Sequence, residues 1–302
     1  MENETVKIET IAESLYRLEV KSPRARYIFA VYLMDEGGGV LLEPGPASII
    51  PSIQEGMKQL GMKGLSYIIP THIHMDHGGG SGALATLFPQ AKVVVHPRGL
   101  KHLLDPSRLI EGTKKAYGDD FELIYGAILP VPQSQLVVPV DGEIFSINGR
   151  ELQIVYAPGH AHHQIAVFDK KTSGLFCGEA LGVLLPGKGG LALPSVSLPD
   201  FNPDLYLETI EKLKQLAPRV LYYSHDGGVQ DPENLINNLE QNVRLLRDIT
   251  FEKLKNSETV DSIKKRIVEM IPGTLSRNRG LMSHLEETIL GFANYYKRKG
   301  LL

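Results

Sequence analysis

With 302 residues, 42% hydrophobic and 22% charged side chains, the chain has the make-up of an ordinary globular protein, which excludes a disordered or collagen-like polymer. Lys+Arg 32 against Asp+Glu 35, a net of -3, lacks the basic excess that binding nucleic acid by counterion release requires. A single cysteine, Cys177, excludes an internal disulfide, a zinc finger and a CxxC redox pair and points to a reducing compartment. The acidic Met1-Glu2-Asn3-Glu4 start and the lack of any apolar run of about 18 residues point to a cytoplasmic protein with no membrane contact.

In chain order, Val6 to Ile8, Leu15 to Val20, Tyr27 to Met34 and Val40 to Leu42 read as strands separated by Pro23 and Gly37-Gly38-Gly39, an antiparallel opening. An amphipathic helix is predicted from Ser48, its N-cap, to Leu60, with Ile49, Ile53, Met57 and Leu60 on one face and Gly61 as the stop. A buried strand, Leu65 to Pro70, leads into Thr71-His72-Ile73-His74-Met75-Asp76-His77, and Val93 to Val95 is a further strand. Residues 98 to 130 read as a helical insertion suited to a lid or pocket wall. Strands resume at Leu136 to Val140, Glu143 to Ile147, Leu152 to Tyr156, Ile165 to Phe168, Leu175 to Cys177 and Val220 to Tyr223. Before the last of them comes a Gly/Pro-rich loop, Pro186 to Pro203, long enough to be functional. It ends in Asn202-Pro203, an N-cap with proline at the first helical position, opening a helix to about Leu216.

From residue 231 the pattern is helical only. Ile236, Leu239, Val243 and Leu246 form one stripe, Val260, Ile263 and Ile267 another, and Ser283-His284-Leu285-Glu286 reads as a capping box opening a third helix with Ile289, Phe292 and Tyr296. The expected division is therefore a mixed strand-and-helix domain over 1–230 and a helical appendage over 231–302. The appendage carries a net charge of only +2. That gives a nucleic-acid role little electrostatic support, whereas a homo-oligomer built through these helices fits.

The chemistry concentrates at strand ends. In His72-x-His74 two imidazoles one residue apart in an extended segment point the same way and can grip one ion. Asp76 and His77, followed by Gly78-Gly79-Gly80 where the backbone turns tightly, can face a second. Such nitrogen and oxygen donors suit zinc, iron or manganese. Three more apolar strands end in one potential ligand each: His160 after Pro158-Gly159, Glu179 after Gly178, and His225 after Ser224. Residues at strand ends gather on one edge of a layered core. His162 and His163 are open between a site role and turn filling. His96, His102 and His284 read as structural, His284 as a surface residue at a helix start. Cys177 reads as a buried thiol, and Tyr117, Tyr125, Tyr222 and Tyr223 as aromatic mass before substrate contacts.

THIHMDHGGG, APGHAHH, GLFCGEALG and YYSHDG, in that order, resemble the metallo-β-lactamase-fold hydrolase superfamily, in its glyoxalase-II-like HxHxDH branch, over roughly residues 6 to 230. The resemblance implies an α+β fold, a four-layered αββα sandwich with a dinuclear site at one rim. It implies His72, His74 and His160 on the first metal, Asp76, His77 and His225 on the second, and Glu179 bridging. Two positions depart from the family pattern: Glu179 stands where aspartate is usual, and Glu43, in Leu41-Leu42-Glu43-Pro44-Gly45, stands where many relatives have aspartate. Glu43 is expected behind the site, orienting a ligand or a backbone amide.

Two adjacent cations lower the pKa of a bridging water, polarise a carbonyl or phosphoryl oxygen and steady the leaving group. Hydrolysis of an ester-like bond by metal-bound hydroxide follows, with Asp76 as the residue that orients the nucleophile. Candidate substrates are small molecules carrying a thioester, lactone, carboxylic ester or phosphoric ester. The expected cofactors are two divalent transition-metal ions, zinc first, manganese or iron as alternatives. Two other readings stay open: an iron-dependent oxidoreductase handling oxygen or persulfides on the same fold, and a non-catalytic module that keeps its metals.

Overall fold

The structure, a computed structural model, describes residues 6–21, 28–184, 192–225, 228–229, 232–270 and 279–302. Pro23, Tyr27 and residues 186–191 of the Gly/Pro-rich loop lie outside the described residues. Two units interleave along the chain: unit 1 is Met1–Tyr156, His163–Gly178 and Pro218–Gln230, and unit 2 is Ala157–His162, Glu179–Ala217 and Asp231–Leu302.

Unit 1 contains two sheets. The first has seven strands in sequence order: β1 (Lys7–Ala12), β2 (Leu15–Lys21), β3 (Ile28–Met34), β4 (Val40–Leu42), β5 (Tyr67–Ile69), β6 (Lys92–Val94) and β7 (Leu136–Val137). Pairing is antiparallel through β4 and parallel from there to β7. The second runs from β8 (Ile144–Ile147) through β9 (Arg150–Tyr156), β10 (Ile165–Asp169), β11 (Gly174–Gly178) and β14 (Val220–Tyr223) to β15 (Gly228–Val229). Strand β3 shows why they stack. Its sequence IFAVYLM is apolar on both faces, and period-two alternation sends its residues to different cores. Phe29, Val31 and Leu33 pack with Ile50, Ile53, Met57, Leu84 and Ala85, on helices α1 (Ile50–Gln59) and, after the single turn α2 (Met75–Gly78), α3 (Ser81–Leu87). Ala30, Tyr32 and Met34 face Leu152, Ile154, Ile165, Val167 and Phe176 of the second sheet.

The two sheets of unit 1 are stitched at one end by backbone. Ala30 N–H donates to the Ser224 carbonyl at 2.8 Å, and Phe29 bridges to His225. Because β10 is antiparallel to both β9 and β11, and β11 is parallel to β14, the three strands that precede His160, Glu179 and His225 run in one sense. The 98–130 insertion consists of α4 (Leu100–Leu104), α5 (Ser107–Tyr117) and α6 (Phe121–Tyr125). Ser48 does not cap α1. It lies in a 3-10 turn, Ala47–Ile49, and its hydroxyl donates to the Ile124 carbonyl at 2.6 Å, tying α6 to the start of α1.

Unit 2 holds a ribbon of β12 (Val183–Leu184) and β13 (Ala192–Leu193), and four helices: α7 (Pro203–Lys214), α8 (Pro232–Lys255), α9 (Val260–Met270) and α10 (Arg279–Arg298). Asn202 caps α7 as predicted, its Oδ1 accepting from the amides of Asp204 and Leu205 at 3.1 and 3.2 Å. The predicted stripe on α8 is buried, and on α9 Ile263 and Ile267 are buried while Val260 is half-buried. The capping box is not formed, because α10 already begins at Arg279 and Ser283 lies inside it. Among the described residues no helix is long and apolar enough to cross a membrane.

His96 in unit 1 is a buried structural residue. Its Nδ1 accepts the Arg98 amide at 3.0 Å and its ring packs on Tyr156 at 4.3 Å. Burial, then the Arg98 guanidinium, lowers its pKa from 6.5 to about 4, against a smaller opposing pull from Asp141. The unfolded chain therefore takes up a proton below pH 6.5 that the folded chain refuses until about pH 4. Stability is expected to fall as pH drops through that window. His96→Asn keeps an acceptor for the amide two residues on. In urea titrations of the metal-free protein at pH 7 and 4.5 it should remove about 1–2 kcal/mol of the acid loss, a figure already reduced for solvent screening. Identical acid losses in the two proteins would show that His96 does not contribute.

Candidate metal centre

Unit 1 brings five of the seven predicted ligands to one end of its strands. Beyond β5 the chain bends at Thr71, His72 and His74 (φ -58, ψ 150) and then makes the single helical turn α2, which carries Asp76 and His77. The His72 and His74 rings meet edge to face with centroids 4.5 Å apart, and His72 and His77 are 3.9 Å apart. The glycines after His77 serve close packing rather than an unusual turn. Gly78 is the last residue of α2, and a Cβ on it would stand 2.9 Å from the His72 carbonyl oxygen.

Asp76, His77 and His225 each offer a ligand atom within 4.8 Å of the others. Asp76 Oδ2 lies 3.6 Å from His77 Nε2 and 3.7 Å from His225 Nε2. These separations are too long for hydrogen bonds. They match the roughly 3.4 Å between two ligands that share one tetrahedral ion at about 2.0–2.2 Å from each. Glu43 sets this geometry. It is buried, its Oε2 accepts from His77 Nδ1 at 2.6 Å, and its Oε1 accepts the Thr71 amide at 3.2 Å. The proton is thereby placed on Nδ1, and the Nε2 lone pair of His77 is turned toward Asp76. Glu43 adopts φ +58, a left-handed backbone that costs a non-glycine residue about 1–2 kcal/mol. Thr71 also approaches His72, its Oγ1 3.1 Å from His72 Nδ1.

Unit 2 carries the other two predicted ligands, and it brings them together. Gly159 adopts φ +142 because a Cβ there would fall 2.4 Å from the Tyr206 Cα, and this close approach delivers His160. His160 Nδ1 donates to the Ser195 carbonyl at 3.2 Å, so Nε2 presents a lone pair. That nitrogen stands 2.8 Å from Glu179 Oε2. Two acceptors this close require a shared positive charge, a proton or a metal ion. The donor sets of both units thus suit a borderline transition metal, nitrogen and carboxylate oxygen with no thiolate.

A family model for the metallo-beta-lactamase superfamily matches residues 24–225, well over half of the chain. The chain belongs to that superfamily. Among its relatives is the metallo-beta-lactamase fold-containing protein ST1585 of Sulfurisphaera tokodaii, 30% identical over 181 residues, 59% of this chain and 66% of that protein. The solved structure of ST1585 covers 93% of this chain and 99% of its own at TM-score 0.65 and 23% identity, which shows the fold. A hydroxyacylglutathione hydrolase of Synechococcus sp. is 25% identical over 199 residues, 66% of this chain and 62% of that protein. The acyl-coenzyme A thioesterase MBLAC2 of Bos taurus is 27% identical over 170 residues, 51% of this chain and 52% of that protein. The chain thus spans between half and two thirds of the length of these curated relatives. The α+β metallo-β-lactamase fold, with helices at the C-terminal end, is the one read from the sequence motifs.

Within this metallo-β-lactamase fold, the two histidines left open by the sequence part company. His163, in unit 1, is buried with its ring 5.3 Å from His74 and 6.1 Å from His72, and its Nδ1 accepts the Ile73 amide at 3.5 Å. His162 belongs to unit 2 and is half-buried. Cys177 is fully buried, and burial pushes its thiol pKa far up, which fits an inert core residue. Tyr125, from the insertion, packs with Met75 and Phe121. Its phenol pKa is raised by burial and then by the Asp76 charge, so the insertion reaches the neighbourhood of Asp76. His284 is not a surface residue. Its Nε2 donates to the Pro194 carbonyl at 2.9 Å and burial lowers its pKa. Sequence reasoning missed Ser195, whose hydroxyl and carbonyl meet Glu179 and His160 without any local motif to announce it.

Replacing Glu43 by Gln keeps the shape and removes the charge that holds the His77 proton. Affinity for one ion is expected to fall about 10- to 100-fold, the usual effect of losing an outer partner of a metal-bound histidine. Competition with a chromophoric chelator reads this directly, and an unchanged affinity would remove Glu43 from the metal centre.

Proposed function

We propose that this chain is a dinuclear metal-dependent hydrolase of ester-like bonds in small molecules, with thioesters as the first substrate class and lactones, carboxylic esters and phosphoric esters as alternatives. The observation that carries this reading is the convergence of Asp76, His77 and His225 at ligand spacing, with Glu43 locking the His77 ring. The names of two relatives, hydroxyacylglutathione hydrolase and acyl-coenzyme A thioesterase, support the thioester class.

In this reading His72, His74 and His160 hold one ion, Asp76, His77 and His225 hold the other, and Glu179 bridges. Zinc is the first candidate, then manganese or iron. Such ions, when bound, supply an acidified water and polarisation of the scissile bond. Asp76 accepts a hydrogen bond from the attacking water and aims it, while Thr71 and Glu43 fix the rings of His72 and His77. The 98–130 insertion, through Tyr125, walls the substrate side. The hydrolytic machinery is assigned to residues 1–230, with 231–302 as a helical appendage, in a cytoplasmic protein.

Elemental analysis of protein purified without added metal, then saturated with zinc or manganese, should find two ions per chain. A panel of thioester, lactone, carboxylic ester and phosphodiester substrates should show metal-dependent turnover, highest on the thioester. At most one ion at saturation, or no turnover on any of the four classes, overturns the reading.

A further inference from the structure

Residues 192–195 of unit 2 are suspended from the C-terminal helices by two side-chain hydrogen bonds. On α8, Asn242 Nδ2 donates to the Ala192 carbonyl at 2.9 Å. On α10, His284 Nε2 donates to the Pro194 carbonyl at 2.9 Å. The next residue, Ser195, is buried and has every polar group engaged. Its carbonyl accepts from His160 Nδ1 at 3.2 Å, its hydroxyl donates to Glu179 Oε1 at 2.9 Å, and its amide donates to the Tyr206 hydroxyl at 3.3 Å. Tyr206, fully buried on α7, donates that hydroxyl to the Glu179 carbonyl at 2.9 Å. One serine thus sets the tautomer and direction of His160 and one carboxylate oxygen of Glu179, and the helices beyond residue 231 hold that serine.

We propose that Asn242 and His284 are positioning residues of the metal centre, and that the C-terminal helices set its metal affinity through Ser195. The inference rests on the dinuclear reading of the site. A ring whose proton is fixed by a backbone carbonyl is a better oriented metal ligand, and loss of such outer partners costs metal affinity rather than fold. Removing either side-chain donor also leaves a carbonyl of the 192–195 segment to be satisfied by water, which loosens the segment.

The test measures both metal dissociation constants by chelator competition in the full-length wild type and in His284→Ala, Asn242→Ala, Ser195→Ala and His284→Gln. Thermal melting of each metal-free protein serves as the fold control. One ion should bind about 10- to 100-fold more weakly in His284→Ala and Ser195→Ala. Its partner should be held within a few-fold, and metal-free melting should stay near wild type. His284→Gln, which keeps a donor for the Pro194 carbonyl, should recover most of the affinity. Wild-type affinity in His284→Ala and Asn242→Ala overturns the inference, as does equal weakening of both ions in step with a lowered metal-free melting temperature. A wild type that binds no ion defeats the dinuclear reading itself, an outcome separate from either.

Discussion

Glu179→Gln is expected to release at least one of the two ions and to lower kcat/KM on the order of 100-fold or more. The substitution preserves volume and one acceptor oxygen, so the Ser195 hydroxyl keeps a partner. It removes the negative charge that faces His160 Nε2 at 2.8 Å. On the dinuclear reading that charge also offsets the repulsion between two dications held about 3.5–4 Å apart, which nothing neutral can do. Glu179→Asp restores the residue more usual in the superfamily but shortens the arm by one methylene. It should keep two ions with altered affinity or metal preference, because Ser195 and Tyr206 position the backbone and head group for the longer side chain. Elemental analysis and titration of both variants decide the matter. If Glu179→Gln keeps both ions and near-normal turnover, Glu179 is not a bridge, and the second ion must rely on Asp76, His77, His225 and water.

The gathering of Asp76, His77 and His225, and of His72 with His74, was legible in the sequence because the physics that places these side chains is local. The His72-x-His74 spacing brings the two rings together, although the chain bends there instead of continuing as a strand, and apolar runs before His225 and Thr71 mark the strands that precede them. Glu43, read from its place after a strand, holds both the His77 ring and the Thr71 amide. The failures are equally instructive. Ser48 and Ser283 carry good capping patterns, yet α1 starts at Ile50 with Ile49 as its N-cap, one residue later than a Ser48 cap requires, and α10 begins a full turn before Ser283. Capping chemistry is worth about 1 kcal/mol, too little to set a helix start against tertiary packing. The glycines after His77, expected to turn the backbone tightly, adopt ordinary helical angles, and Gly78 is small because the His72 carbonyl and the Ile73 backbone press against it. His284 and Ser195 were missed for a deeper reason. Their contacts run through the Pro194 and Ser195 carbonyls and the Ser195 hydroxyl, and they join segments around residues 160, 179, 195 and 284 that share no local pattern.

Replacing Arg150 by Met is expected to cost unit 1 about 3–5 kcal/mol, because it strands a buried acid. Arg150 opens β9 and Asp169 closes β10, and both are buried. The guanidinium grips Asp169 through Nε at 3.0 Å and Nη2 at 2.6 Å, while Nη1 reaches the Glu13 carbonyl and Glu36 at 3.3 Å each. Lys171 joins Glu36 at 3.0 Å, and the Thr172 hydroxyl donates to Asp169. The pair therefore ties β9 and β10 to the turns after β1 and β3. It lies at the opposite end of β9 from Tyr156, about 20 Å away at the rise of an extended strand, so metal content should survive wherever the variant folds. Without its cation Asp169 keeps only neutral partners, and protonating it or admitting water carries the cost. Arg150→Met combined with Asp169→Leu removes both charges and should recover most of the loss, since an apolar pair of similar volume often matches a buried ion pair. Urea denaturation of the two variants beside wild type measures the recovery. A single-variant loss under about 1 kcal/mol would show that this network is ornamental. A double variant no better than the single would instead place the cost in lost packing of the arginine stem.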